Sequence, residues 1–386
     1  MPKLFSPLRR GGGVIASAAL ASLALAAGAR AASAPAASAS IMPDCGWNQL
    51  SLMNGWQSDQ NTYGTGDPRY CVTRDGMVHL SGSLTQPSAG AGEFAALPPQ
   101  AWPASNLYLS VYTMDGTAGY LMIDTAGRMY AYSGPDGDAP DFTSLAGVSF
   151  PGASVAQQPL ALLNGWQSAQ GQWGTGDPSY SVTNGIVHLS GSLNGSQVTP
   201  GLQSEAASTF AVLPQGARPD FCTGTEAYTY AGVPGTLQVD PLGMMYAYAQ
   251  GGAVYNSPSA QYTSLAGVSF PAAGTTNWHA LSLQSTWSPV VADWCKTNVD
   301  TDPAWDVING MVYLTGWMSS SVSNSGEVTV LPPAARPVHT LYLILNEGPA
   351  PHASLEIQPN GAVIVFGAGP VNGVDSLAGL SYELTS

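Results

Sequence analysis

The strongest constraint on this chain is that it repeats itself. Leu52-Met53-Asn54-Gly55-Trp56 recurs as Leu162-Leu163-Asn164-Gly165-Trp166, and Gly64-Thr65-Gly66-Asp67-Pro68 recurs as Gly174-Thr175-Gly176-Asp177-Pro178. Val78-His79-Leu80-Ser81-Gly82-Ser83-Leu84 returns from Val187 to Leu193, and Ser144-Leu145-Ala146-Gly147-Val148-Ser149-Phe150 returns intact from Ser264 to Phe270. A third, divergent unit keeps the order with Trp287, Asp302-Pro303, Gly310 to Leu314, Val330 to Pro337 and Ser376 to Tyr382. From Asp67 to Asp177 the offset is 110 residues. A unit of that size can carry its own core, so the pattern predicts tandem domains rather than solenoid turns. The expected units span 44–152, 158–272 and 276–386.

Within a unit the signal is β throughout. Tyr70 to Thr73 and Met77 to Leu84 are short alternating runs, and Asp75-Gly76 lies between them, with Asn184-Gly185 and Asn309-Gly310 at the matching sites. Such pairs supply the positive φ angles of a type I′ turn, which predicts the same hairpin in every unit. A second hairpin is expected around Gly119 to Tyr132, turning at Ala126-Gly127, with counterparts at Leu242-Gly243 and Asn360-Gly361. With 45 glycines and 30 prolines, many turns and no sustained helical period, each unit reads as a β-sandwich of the jelly-roll kind.

The N-terminus carries Lys3, Arg9 and Arg10, an apolar run from Val14 to Ala27, and the small-residue step Ala29-Arg30-Ala31. This predicts a signal peptide over 1–31, followed by an Ala/Ser/Pro linker over 32–43. The run is short for a membrane anchor, the alternative reading. Arg9-Arg10 leaves both the general and the twin-arginine export routes open. The chain has 10 basic and 24 acidic residues; four basic residues and no acidic ones precede Ala32. The remainder therefore carries 6 basic against 24 acidic side chains, a net of −18. Such a surface repels phosphate backbones and anionic lipid, so nucleic acid and membrane are excluded as expected partners. An even count of cysteines in an exported chain predicts disulfides. Cys45 and Cys71 sit on neighbouring predicted strands of one unit and are paired. Cys222 and Cys295 remain, where a bridge would staple the second unit to the third; four cysteines allow three connectivities, and free thiols are the alternative.

The Asn54–Trp56 opening, the run from Pro178 to Leu189, the Leu213-Pro to Arg218-Pro219 step and the Ser264–Phe270 close resemble a module of bacteriophage tail-fibre and baseplate-associated proteins, also seen in secreted actinobacterial proteins. The resemblance covers nearly the whole chain after the signal. It implies a β-sandwich used for attachment, often as a trimeric knob. Trp102 departs from it where Arg218 and Arg336 stand, as does Tyr313 where His79 and His188 stand.

Candidate chemistry is sparse. His79 and His188 share a position that Tyr313 fills in the third unit, and tyrosine is no general base near neutral pH. Alternation places both imidazoles opposite Val and Leu, where a structural role is expected. Asp67, Asp177 and Asp302 precede proline, but no second carboxylate recurs at a fixed offset as a glycosidase pair would require; a turn role is expected. Asp136, Asp138 and Asp141 cluster in the first unit only, a loose candidate for calcium without the full loop signature. Trp56, Trp166 and Trp287 read as core. Tyr130, Tyr132, Tyr246 and Tyr248 align with Ile364 and Phe366, which argues for packing. Tyr63, Trp173 and Trp294 are the ligand-binding candidates, because each lies in a loop where a ring can stack on a sugar face. No nucleophile elbow, HExxH, CxxC or phosphate loop occurs. The expected function is a secreted, non-catalytic recognition or adhesion protein binding cell-surface glycan through these aromatics. The alternatives are a structural, phage-tail-like assembly protein forming a pseudo-threefold knob, and a glycan hydrolase.

Overall fold

The computed structural model describes residues 45–87, 92–134, 138–196, 209–249, 261–290, 302–322, 325–347, 353–366 and 374–385. The expected signal and linker, and also Asp136, Trp294 and Cys295, lie outside the described residues. The chain is all-β, with antiparallel sheets and short helical turns at Gln60–Tyr63 and Gln170–Trp173.

One sheet topology appears three times along the chain. In the first copy a four-stranded sheet runs Asn48–Gln49, Arg69–Val72, Met77–Ser81, Ser149–Pro151. The same order recurs as Gln158–Pro159, Ser179–Thr183, Ile186–Ser190, Ser269–Pro271 and as His279–Ala280, Ala304–Ile308, Met311–Thr315, Ser381–Glu383. A second four-stranded sheet, Glu93–Ala96, Arg128–Ser133, Ala118–Ile123, Leu107–Tyr112, is matched by Thr209–Val212, Met244–Ala249, Pro234–Val239, Thr223–Tyr228. In the third copy its counterpart is joined through Asp375–Ser376 into a seven-stranded sheet. Each copy buries its own core. Trp56, Val78, Leu80, Phe94, Leu121 and Phe150 meet in the first, and Trp166, Val187, Leu189, Phe210, Leu237 and Phe270 in the second. The alternating burial of Leu107–Tyr112 is the period-2 pattern of a strand with one face in such a core.

The hairpin turns differ from expectation in one copy. Asn184 and Gly185 have φ of 50° and 83°, and Asn309 and Gly310 have 53° and 80°, the paired positive angles of a type I′ turn. In the first copy Arg74 adds a residue. Only Gly76 is then positive, at 87°, and the Gly76 N–H donates to Thr73 O. The loop is thus a three-residue connection instead of the type I′ turn that Asp75-Gly76 predicts.

Two recurring motifs have local causes. Gly82, Gly191 and Gly316 have φ of 90°, 86° and 96°, and a Cβ there would run into the Asp-Pro main chain at Asp67, Asp177 and Pro303. Asp-Pro and this glycine therefore recur together. Arg218 Nε donates to Leu213 O at 3.0 Å and Arg336 Nε to Leu331 O at 2.9 Å; in the first copy the Trp102 indole N–H donates to Leu97 O at 2.8 Å. A flat side chain with one donor is what the site requires, which is why tryptophan can replace arginine.

Gly191→Ala is expected to cost about 2–3 kcal/mol, the scale of backbone strain plus a clash. The urea midpoint should fall accordingly, whereas Gly216→Ala, with open space at its Cβ, should change stability by under about 0.5 kcal/mol.

Candidate functional site

The three copies close on one another in a ring. A Cβ on Gly147 of the first copy would lie 2.8 Å from Leu343 Cδ2 of the third. On Gly267 of the second it would lie 2.6 Å from Leu109 Cδ2 of the first, and on Gly379 of the third 2.8 Å from Thr225 Cβ of the second. These glycines belong to the Ser-Leu-Ala-Gly motif, and Leu109, Thr225 and Leu343 occupy one position of one strand. The contact is therefore the same three times, passed around a pseudo-threefold axis.

The loop aromatics lie in these seams. Tyr63 ends its helical turn with its ring 4.8 Å from Phe142 and 6.1 Å from Tyr342 of the third copy. Trp173 sits 5.4 Å from Tyr262 and 6.4 Å from Tyr108 of the first copy. Beside them Thr340 N–H donates to Gly64 O at 3.0 Å, and Asn106 N–H to Gly174 O at 2.9 Å. Both rings are half-buried. Cys222 stands at the position of Asn106 and Thr340. It is disulfide-bonded, and Cys295, its expected partner, lies outside the described residues. At that seam Ser376 Oγ donates to Gly224 O at 2.9 Å, and the Trp317 indole N–H to Cys222 O at 3.3 Å. Tyr132 stacks on Tyr120 at 5.0 Å, and Tyr120 lies 4.7 Å from Tyr228 of the second copy, so these tyrosines also serve the packing between copies.

On the axis the first-sheet hairpins converge around a well of about 350 Å³. Each second hairpin strand sends one face into its own core and the other to the axis. The axial residues are Met77 and His79, Ile186 and His188, and Met311 and Tyr313. These strands are thus buried on both faces, the reason Met-Val-His-Leu is apolar at alternate positions on each side. Glu383, opposite Met311 where Pro151 faces Met77 and Pro271 faces Ile186, adds a carboxyl. At the turn tips Asn184 Nδ2 donates to Asp75 Oδ2 at 2.5 Å and Asn309 Nδ2 to Asn184 O at 3.4 Å. The tips are partly or fully exposed, whereas His79, His188, Tyr313 and Glu383 are each at most 7% exposed. The well thus deepens from a wet rim to a buried floor.

Burial sets the charge of that floor. Desolvation pushes His79 down to about 4, against the pull of Asp75, and His188 down to about 3, with His79 adding to the effect. Desolvation holds the Glu383 carboxyl up at about 8 although Arg69 pulls it down, and it raises the Tyr313 phenol. His79 Nδ1 and Glu383 Oε1 are 3.6 Å apart, too far for a hydrogen bond. At neutral pH the two are an uncharged pair, not an ion pair. Glu383 Oε2 is buried without a hydrogen-bond partner.

Cys45 and Cys71 are disulfide-bonded, the pairing the sequence predicts. With Glu383 they bring ligand atoms within 4.8 Å of one another, but bridged sulfurs offer no thiolate to a metal. For the same reason the 3.5 Å contact from Cys71 Sγ to Glu383 is no hydrogen-bond donation. Asp67 accepts the Ser58 hydroxyl at 2.7 Å, which ties its loop to the strand Gln57–Ser58. Asp138 and Asp141 are exposed and share a turn in which Asp141 N–H donates to Asp138 O. Trp56, Trp166 and Trp287 are buried in the cores. Among the described residues no helix is long and apolar enough to cross a membrane.

Of the axial set, sequence reasoning singled out the His/His/Tyr position and assigned it a structural role. It passed over Met77, Ile186, Met311 and Glu383. The available signal was an apolar residue beside each histidine on a face expected to be wet. No family model, curated protein or solved structure matches the chain.

Glu383 makes the pH dependence testable. Its proton is held more tightly in the folded state, so its contribution to stability is full below 4.5 and is lost as pH rises toward about 8. Relative to Glu383→Gln, the wild type should lose on the order of 4 kcal/mol across that window, read from urea unfolding at a series of pH values.

Proposed function

We propose that this chain is an exported, non-catalytic attachment head, a single-chain counterpart of a cyclic trimeric knob. The observation that carries the reading is the cyclic seam, in which Gly147, Gly267 and Gly379 each receive the same strand of the neighbouring copy. A ring closed by backbone-level contacts is an architectural unit, and its three copies present equivalent loops around one axis. The Cys45–Cys71 disulfide suits an oxidising compartment. The acidic balance favours neutral or basic surface partners. Glycan on a cell surface is the partner class this reading takes over from the sequence. The hydrolase alternative gains nothing from Asp67, whose carboxylate is engaged by the Ser58 hydroxyl.

The full chain after the signal should run as a compact monomer in native mass spectrometry and small-angle scattering, and it should be retained on cell-envelope glycan without releasing sugar. An elongated scattering profile, or no retention on any envelope preparation, would end the proposal. Because Trp173 is in a seam, Trp173→Ala should lower stability by about 2 kcal/mol, less than a fully buried tryptophan would, and leave retention unchanged. Loss of retention with unchanged stability would instead return this ring to the role of a glycan contact.

A further inference from the structure

The attachment reading leaves open what is recognised and where. Three cavities are candidates. One, of about 310 Å³, lies along the seam of the first and second copies beside Ser105, Thr175 and Asp177. It opens there because Ser105 stands where His339 packs over Gly66 in the equivalent seam. Its lining is mainly small residues and turn backbone. A second, of about 80 Å³, lies on the axis where Leu109, Thr225 and Leu343 approach, with Glu226 Oε1 buried and unpartnered. That volume suits a few waters and little else. The third is the axial well, which combines apolar walls with four converging polar side chains in a volume large enough for a small ligand.

We infer that the axial well is a binding site for one neutral terminal sugar residue, held at a single place per chain. The walls are Met77, Ile186, Ile308 and Met311, apolar surface for the C–H face of a pyranose. On the floor stand two imidazoles, a phenol and a carboxyl. Each imidazole in its neutral form offers one donor and one acceptor, and phenol and protonated carboxyl offer both. Glu383 Oε2 is at present an unpartnered buried acceptor, a state that costs free energy until a donor reaches it. The rim adds the amides of Asn184 and Asn309, the hydroxyls of Thr73 and Thr183, and the opposite charges of Arg74 and Asp75. Below the rim this is an array of neutral hydrogen-bonding groups against an apolar wall, the pattern of a pocket that orients a small polar ligand.

Charge narrows the ligand class. An anion would find the Arg74 guanidinium offset by the Asp75 carboxylate at the rim and, below it, apolar walls and an uncharged floor with no cation to replace its water. A cation would have to shed its water among methionine and isoleucine side chains, facing a carboxyl that burial keeps protonated. A neutral polyhydroxyl ring needs no change of ionisation. A well of about 350 Å³ with a buried floor takes the end of a glycan, not a stretch of its middle. The three positions around the axis are not equivalent, being His79, His188 and Tyr313, so the site is one per chain although the scaffold is threefold.

This inference rests on the attachment reading and is tested separately from it. The full chain after the signal is titrated calorimetrically with glucose, galactose, mannose and N-acetylglucosamine, and in parallel applied to immobilised oligosaccharides ending in the same sugars. At least one sugar should bind with a stoichiometry of one per chain, free and as a chain terminus. Tyr313→Phe, which removes only the phenol hydroxyl, should weaken binding at least fivefold, and Thr183→Trp, which fills the mouth, should abolish it. Trp173→Ala should leave the affinity unchanged. Binding of two or three sugars per chain, binding that survives both Tyr313→Phe and Thr183→Trp, or absence of binding in both arms overturns the inference. Retention on envelope glycan that persists in those variants overturns the well alone and leaves the attachment head standing. Should Thr183→Trp fail to fold, Tyr313→Phe decides the outcome by itself.

Discussion

The structure depends on how closely the three copies approach. At each seam a glycine with φ between 74° and 83° lets the strand of the next copy come within van der Waals range of its backbone. Any L side chain there would meet both a left-handed backbone and an occupied space. Once those contacts form in one direction around the axis, the hairpins are brought tip to tip. The strands that carry His79, His188 and Tyr313 then lose their second solvent face. The well, its unusual protonation states and the burial of Glu383 all follow from that approach.

The ring closes between the first copy and the third. Trp47 Nε1 donates to Thr385 Oγ1 at 2.9 Å, Arg69 reaches the Thr385 carbonyl, and the Arg69 guanidinium lies 4.5 Å over the Trp47 ring. One of the few cations in an acidic chain is thus used to tie the first copy to the last. Arg218 and Arg336 have similarly local duties, each donating to a main-chain carbonyl of its own copy. These three arginines serve geometry, in a chain whose net charge is acidic.

What the sequence reveals is what a single copy needs. The β class, the hairpin positions and the Cys45–Cys71 bridge were legible because strand alternation, Asn-Gly turns and cysteine parity are local signals. The relation between copies was not legible. Alternation reports one buried face per strand, and a strand buried on both faces, such as Met77–Ser81, reads as an irregular pattern. Tyr63 and Trp173 looked like ligand contacts because a ring in a loop falls outside the strand alternation; rings that cover them, Phe142 and Tyr342 for one and Tyr262 and Tyr108 for the other, lie more than sixty positions away, one of each pair in a neighbouring copy. Glu383 was passed over because proline occupies its place in both other copies, so no repeat pointed to it.

The meeting of the first and third copies near Trp47 and Thr385 has a thermodynamic consequence. In an open row of domains the outermost members have a neighbour on one side only and fray first. Here no copy is outermost. If one seam parts, its two halves stay linked through the other two seams, so they meet again at a high local concentration. Opening is then reversible breathing, and wholesale separation requires two seams to fail together.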